Sequence, residues 1–81
     1  MPLFVKEALL VAPKVFAVRY EQVDDTTSYI GEGEVGTLDS ATTWRIKKIV
    51  TDVDGNITIT WAGGTAYFNK EWDERLNYTY S

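Results

Sequence analysis

The Asp54-Gly55 dipeptide is the feature that most constrains the fold of this chain, because alternating apolar and polar residues precede and follow it. Asp-Gly favours the tight turns that join two antiparallel strands. We therefore predict a β-hairpin whose strands cover residues 42–50 and 56–61. Its apolar side chains are expected to pack as one cluster across the hairpin. The members of this expected core are Trp44, Ile46, Ile59 and Trp61, together with Trp72.

The N-terminal half contains a second alternating stretch, residues 14–23, which also predicts a strand. The side chains expected on its buried face are Phe16, Val18 and Tyr20. Asp24-Asp25 predicts a turn, because Asp side chains accept hydrogen bonds from the backbone that follows them. Residues 26–30 then predict a returning strand, and the Gly- and Glu-containing residues 31–40 predict an exposed loop.

The C-terminal third carries shorter signals. Gly63-Gly64 predicts a tight turn, and residues 65–68 and 78–80 predict two short strands on either side of a helical turn near residues 69–76. Thr, Val, Ile, Tyr, Phe and Trp together supply 34 of the 81 residues, and these are the types that favour strands. The expected fold is all-β, a small antiparallel β-sandwich or open barrel of about six to seven short strands.

The chain is short enough to form one β domain, which we place at residues 13–81. Residues 1–12 precede it as an apolar arm or as a first strand. Four large apolar side chains in this segment are expected to be buried, either on the domain's own core or on a neighbouring subunit: Leu3, Phe4, Leu9 and Leu10. A domain of this size with no Cys has no disulfide to stabilise it, so self-association is expected.

The absence of both His and Cys excludes many catalytic and metal-binding designs. Residues 52–56 resemble the start of a calcium loop, but Gly63 stands where a bidentate Glu is required. We therefore predict no enzymatic activity, no metal and no cofactor. No signal peptide is visible, and the apolar N-terminal stretch is too short to span a bilayer, so synthesis in a cytoplasm without membrane insertion is expected.

Charge is distributed unevenly along the chain, which carries eight basic and twelve acidic residues and a net charge of −4. No Lys or Arg falls between Arg19 and Arg45, while acids are frequent there. This balance argues against nucleic-acid binding, which needs a larger basic surface. The charged residues expected to make salt-sensitive contacts with partners are Glu32, Glu34, Arg45 and Lys47.

Several segments occur together in an order that resembles small, uncharacterised virion proteins and fibre-associated modules of tailed bacteriophages. These segments are 28–32 (SYIGE), 41–49 (ATTWRIKKI), 60–65 (TWAGGT), 68–75 (FNKEWDER) and 76–81 (LNYTYS). The resemblance covers roughly residues 15 to 81 and brings no catalytic residue with it. It implies a component that is present in the virion in many copies and binds other virion proteins.

Three functions follow as expectations from this resemblance and from the composition. The first is a capsid decoration (cement) protein that binds neighbouring subunits. The second is a tail, baseplate or fibre attachment protein. The third is a receptor- or carbohydrate-binding module that uses exposed aromatic side chains and the loop at residues 31–40, although alternation directs most of the aromatics toward the core.

Overall fold

A computed structural model describes residues 16–81, which form a single antiparallel sheet. Its four strands follow one another in space in chain order: β1 (Phe16–Gln22), β2 (Thr27–Glu34), β3 (Arg45–Thr51) and β4 (Ile57–Trp61). The helical content of this part of the chain is one 3-10 helix, Trp72–Glu74. The all-β class is confirmed. Between residues 16 and 81 there are four strands rather than six to seven, and a sandwich is not confirmed.

The predicted hairpin is confirmed as β3 and β4. Its loop begins at Asp52, whose Oδ1 accepts hydrogen bonds from the backbone N–H groups of Asp54 and Asn56, both at 2.9 Å. Asp52 N–H also donates to Asn56 O at 2.9 Å, which leaves three residues in the loop. Gly55 takes the positive φ of 85° that such a loop requires at its last position.

The predicted core is confirmed for Trp44, Ile46 and Trp72, which are buried, but it is wrong for the two side chains of β4. Lys47 pairs with Trp61 and Ile49 pairs with Ile59, so both β4 side chains lie on the face opposite Ile46. Ile59 is 52% exposed, and Trp61 is half-buried. We call the side that carries Ile46 the core face and the side that carries Trp61 the open face.

The core face is covered by the chain that follows β4. Five residues form the buried cluster of the described chain: Tyr29, Trp44, Ile46, Ala62 and Trp72. The Trp44 and Trp72 rings lie with their centroids 6.4 Å apart, and Tyr80 lies 5.4 Å from Tyr29. Tyr80 also forms an isolated antiparallel bridge with Ala62, the residue that follows β4.

The β1 strand is confirmed, but its predicted inward face points outward. Val18 is 56% exposed and Tyr20 is 60% exposed, while Ala17 packs against the buried cluster. Phe16 stacks instead on Phe68, with ring centroids 5.5 Å apart on the open side. The more apolar face of β1 is therefore the one that the domain leaves uncovered.

The predicted loop at residues 31–40 is wrong for residues 31–34, because β2 continues through Glu34. Gly31 and Gly33 lie in this strand on the core face, where the indole rings of Trp72 and Trp44 rest directly on the backbone. A Cβ added at Gly31 would lie 2.6 Å from Trp72 Cε3. These glycines are in a strand and not in a flexible loop, and their lack of a side chain makes room for the two rings.

The C-terminal predictions are confirmed in part. The Gly63-Gly64 turn is present, with both glycines at positive φ, and the helical turn is the short 3-10 helix named above. Residues 65–68 do not form the predicted strand, and residues 78–80 contribute only the single bridge at Tyr80. This C-terminal segment packs on the aromatic rings of the core and does not pair as a further strand.

Candidate interaction surface

The open face of the sheet carries apolar side chains on all four strands. Cross-strand register places Tyr20, Ile30, Lys47 and Trp61 in one row across the four strands. Val18, Tyr20, Ile57 and Ile59 are each more than half exposed. Exposed apolar side chains grouped on one face of a small protein often mark a surface that binds another molecule. The open face is therefore the strongest candidate for a functional surface in the described residues.

Two columns of opposite charge run down the middle of the open face. Glu32 and Glu34 project from β2, and Arg45 and Lys47 project from the neighbouring β3. Glu32 and Arg45 are direct register partners, and Arg45 Nε donates to Glu32 Oε1 at 2.8 Å. The acidic column and the basic column are thus adjacent and parallel to the strands.

The Arg45 guanidinium also holds an aromatic cluster at one end of the open face. Its central carbon lies 4.6 Å from the Phe68 ring centroid, 5.2 Å from that of Phe16 and 5.8 Å from that of Trp61. Lys47 Nζ lies 5.5 Å from the same Trp61 ring. Cation–π attraction of this kind strengthens when the cation is partly desolvated, and Arg45 is only 27% exposed.

A shallow groove of about 450 Å³ lies beside this aromatic cluster. Its lining combines two rings, one carboxylate and two hydroxyls: Phe16, Phe68, Glu34, Thr37 and Thr43. The groove continues the open face past the end of β2. Among the aromatic side chains that a carbohydrate-binding module could use, Trp44, Trp72 and Tyr29 are buried, while Tyr20 and Tyr67 are more than half exposed.

Two further ion pairs lie on the core face and support the fold. Arg75 Nε donates to Glu21 Oε1 at 2.8 Å and joins β1 to the end of the 3-10 helix. Arg19 Nε donates to Asp39 Oδ1 at 2.9 Å, with its guanidinium over the Trp44 ring. Burial raises the pKa of the Tyr80 hydroxyl, which stays protonated and donates to Arg75 O at 2.7 Å.

The Glu21–Arg75 pair predicts a loss of stability in acid. The hydrogen bond from Arg75 lowers the pKa of Glu21 from its ordinary value of 4.5, and backbone N–H donors likewise lower the pKa of Asp24 and of Asp52. A carboxyl whose pKa is lower in the folded state stabilises the fold above its ordinary pKa and loses that contribution as the pH falls through the folded value. We therefore expect the free energy of unfolding to decrease from about pH 5 downward.

Urea titrations between pH 6 and pH 3 test this expectation. In Glu21→Gln the amide oxygen still accepts the hydrogen bond from Arg75, but the side chain no longer titrates. The free energy of unfolding of this variant should therefore fall less steeply than that of the wild type as the pH is lowered. Asp24 and Asp52 still titrate in this variant, so part of the pH dependence of the free energy of unfolding remains. Parallel curves for the two proteins would show that the Glu21 pKa is the same in the folded and unfolded chains.

The structure brings together four of the eight predicted contact residues. Glu32, Glu34, Arg45 and Lys47 share the open face, as their register shows. The other four, Leu3, Phe4, Leu9 and Leu10, lie outside the described residues. Sequence reasoning missed the apolar members of the surface because it assigned Val18, Tyr20, Ile59 and Trp61 to the core.

The described residues give no sign of a metal site or of a membrane-spanning helix. Between residues 16 and 81 no group of three or more acidic side chains is placed to hold a metal ion. Within the same range no helix is long and apolar enough to cross a membrane. Comparisons with protein-family models, with curated proteins and with solved structures find no match to this chain.

Proposed function

We propose that this chain is a structural component of a tailed-bacteriophage virion and serves as a capsid decoration (cement) protein. It is made in the host cytoplasm and binds neighbouring virion subunits and other copies of itself. The proposal assigns it no catalytic residue, no cofactor and no contact with nucleic acid or membrane. A tail, baseplate or fibre attachment protein is the alternative, and a receptor- or carbohydrate-binding module is the third candidate.

The observation that carries this proposal is the open face of the sheet. Four apolar side chains on it are more than half exposed, and both signs of charge run through its centre. A surface of this kind suits burial against another protein, in which apolar contacts supply free energy and charges select the partner. The sequence segments that resemble phage proteins, ATTWRIKKI among them, support a virion as the place where this surface is buried.

The predicted β-sandwich belongs to this proposal as well. The four described strands form one layer, with its second face open. A second layer of sheet would come from a neighbouring subunit. Sheet-on-sheet packing of this kind is a common way to cover an apolar sheet face.

Mass spectrometry of purified particles with copy counting tests the proposal. A decoration protein is expected in hundreds of copies per virion, because it binds a repeated site on the capsid. A few copies to a few dozen would favour the tail, baseplate or fibre alternative. Absence of the chain from purified virions would overturn the structural function altogether.

A further inference from the structure

We infer that the open face is a self-complementary interface, on which a second copy of this chain packs face to face to form a two-layer dimer. This inference deepens the self-association within the proposed function and rests on that part of it alone. It needs no particular position in a virion. The evidence is the placement of charge and of apolar groups along the four strands.

The charge pattern selects a second copy as the occupant. The acidic column lies on β2 and the basic column on β3, so a two-fold axis that runs along the strands between them places β2 of each copy over β3 of the other. Glu32 and Arg45 lie at the same height because they are register partners. The rotation therefore sets Glu32 of one copy opposite Arg45 of the other, twice in each dimer.

The same axis also matches the apolar groups. It places β1 over β4, and Tyr20 stands at the height of Trp61 because both belong to one row of the sheet. Tyr20 of each copy then covers Trp61 of the other. The alternative axis, perpendicular to the strands in the plane of the sheet, would place β2 over β2 and set acid against acid. Only the first arrangement brings unlike charges together.

Arg45 can take part in this contact while it stays bonded within its own chain. A guanidinium has five N–H donors, and the bond from Nε to Glu32 uses one of them. In the dimer two glutamates and two arginines would form a four-charge cluster. Such a cluster, flanked by apolar side chains, favours one register over others.

The size of the face predicts a reversible dimer. Four strands spaced about 4.8 Å apart and seven residues of about 3.3 Å each give a footprint of about 400 Å² per copy. Two such footprints fall below the area that most stable complexes bury. We therefore expect dimer at protein concentrations of about 100 µM and mostly monomer near 1 µM.

Charge reversal in two variants separates this interface from every contact within one chain. Glu32→Arg alone places Arg opposite Arg, and Arg45→Glu alone places Glu opposite Glu, so each variant should be monomeric in sedimentation velocity at 100 µM. Mixed one to one, the two variants restore both opposite-charge contacts between copies. The mixture should therefore sediment as a dimer. The unfavourable charge pair inside each chain is unchanged by mixing, so recovery can come only from contact between copies.

Asp25→Arg is the matched control, because it makes the same change of charge at an exposed turn away from the face. It should dimerise like the wild type. Circular dichroism verifies that every variant is folded. If either charge-reversal variant is unfolded, Tyr20→Asp replaces it, since that side chain is 60% exposed and its loss should abolish the dimer without affecting the core.

Three results would overturn the inference. One is a wild type that stays monomeric up to about 500 µM, as expected if residues 1–12 of the same chain cover the face. Another is a folded mixture of Glu32→Arg and Arg45→Glu that stays monomeric. The last is a Tyr20→Asp variant that dimerises like the wild type. None of these results bears on the copy number in virions, so the two proposals can fail independently.

Discussion

Trp44→Ala is expected to lower the free energy of unfolding by about 3–5 kcal/mol. Trp44 is completely buried, and its ring contacts Trp72 on one side and the backbone of Gly33 on another. Truncation would leave a large cavity at the centre of a core of five buried residues. It would also remove the 2.8 Å hydrogen bond from Trp44 Nε1 to Leu38 O.

A loss of this size is a large part of the stability of a small domain, which is on the order of 4–12 kcal/mol for a chain of this length. Trp44→Phe therefore accompanies the alanine variant, since it keeps most of the apolar volume and loses only part of the indole and its hydrogen bond. The expected order of stability is wild type, Trp44→Phe, Trp44→Ala. Urea unfolding followed by circular dichroism measures all three.

Trp61→Ala is the matched control, because it removes the same side chain from the open face. Trp61 is half-buried beneath Arg45 and Lys47, so we expect a cost of about 1–2 kcal/mol. Sequence alone places Trp61 in the core and would predict about 3–5 kcal/mol for it. Urea unfolding is measured at a protein concentration near 1 µM, where the chain is expected to be mostly monomeric, so dimerisation does not affect the comparison. Equal losses for Trp44→Ala and Trp61→Ala would show that the open face is covered within the monomer.

The contrast between these two tryptophans shows what the sequence could predict. Period-two alternation and the Asp54-Gly55 turn located β3 and β4 correctly, because both signals are local. Alternation does not say which face is covered when both carry apolar groups. In β1 the face with Val18 and Tyr20 is the more apolar one and yet is exposed, because the C-terminal segment packs on the other side.

The sequence predicts only the charged residues of the candidate surface. The charge distribution alone indicates Glu32, Glu34, Arg45 and Lys47, and these residues do lie on one face. Alternation alone assigns their apolar neighbours to the core, because it does not show that the C-terminal segment packs on the opposite face, over Tyr29. The signal that could have corrected this is Gly31 and Gly33, two glycines at period two inside an extended run.

Gly31→Ala is the second variant expected to destabilise the fold strongly, by about 1–3 kcal/mol. Its Cβ would lie 2.6 Å from Cε3 and 2.9 Å from Cζ3 of Trp72, which is 6% exposed and packed against Trp44. The ring can move away only by disturbing the core. Alanine also restricts the unfolded chain, which favours folding by about 0.4–1 kcal/mol and offsets part of the loss.

Gly33→Ala provides the internal comparison, because it makes the same substitution two residues along the same face of β2. Its Cβ would approach the Trp44 ring to 3.1 Å, a tight contact that needs this completely buried ring to shift by only a few tenths of an ångström, less than the overlap at Gly31 requires of Trp72. The entropic gain in the unfolded chain is the same for both variants. Gly33→Ala should therefore lower the urea midpoint less than Gly31→Ala does. A Gly31→Ala midpoint equal to that of Gly33→Ala would mean that Trp72 is not held against the strand.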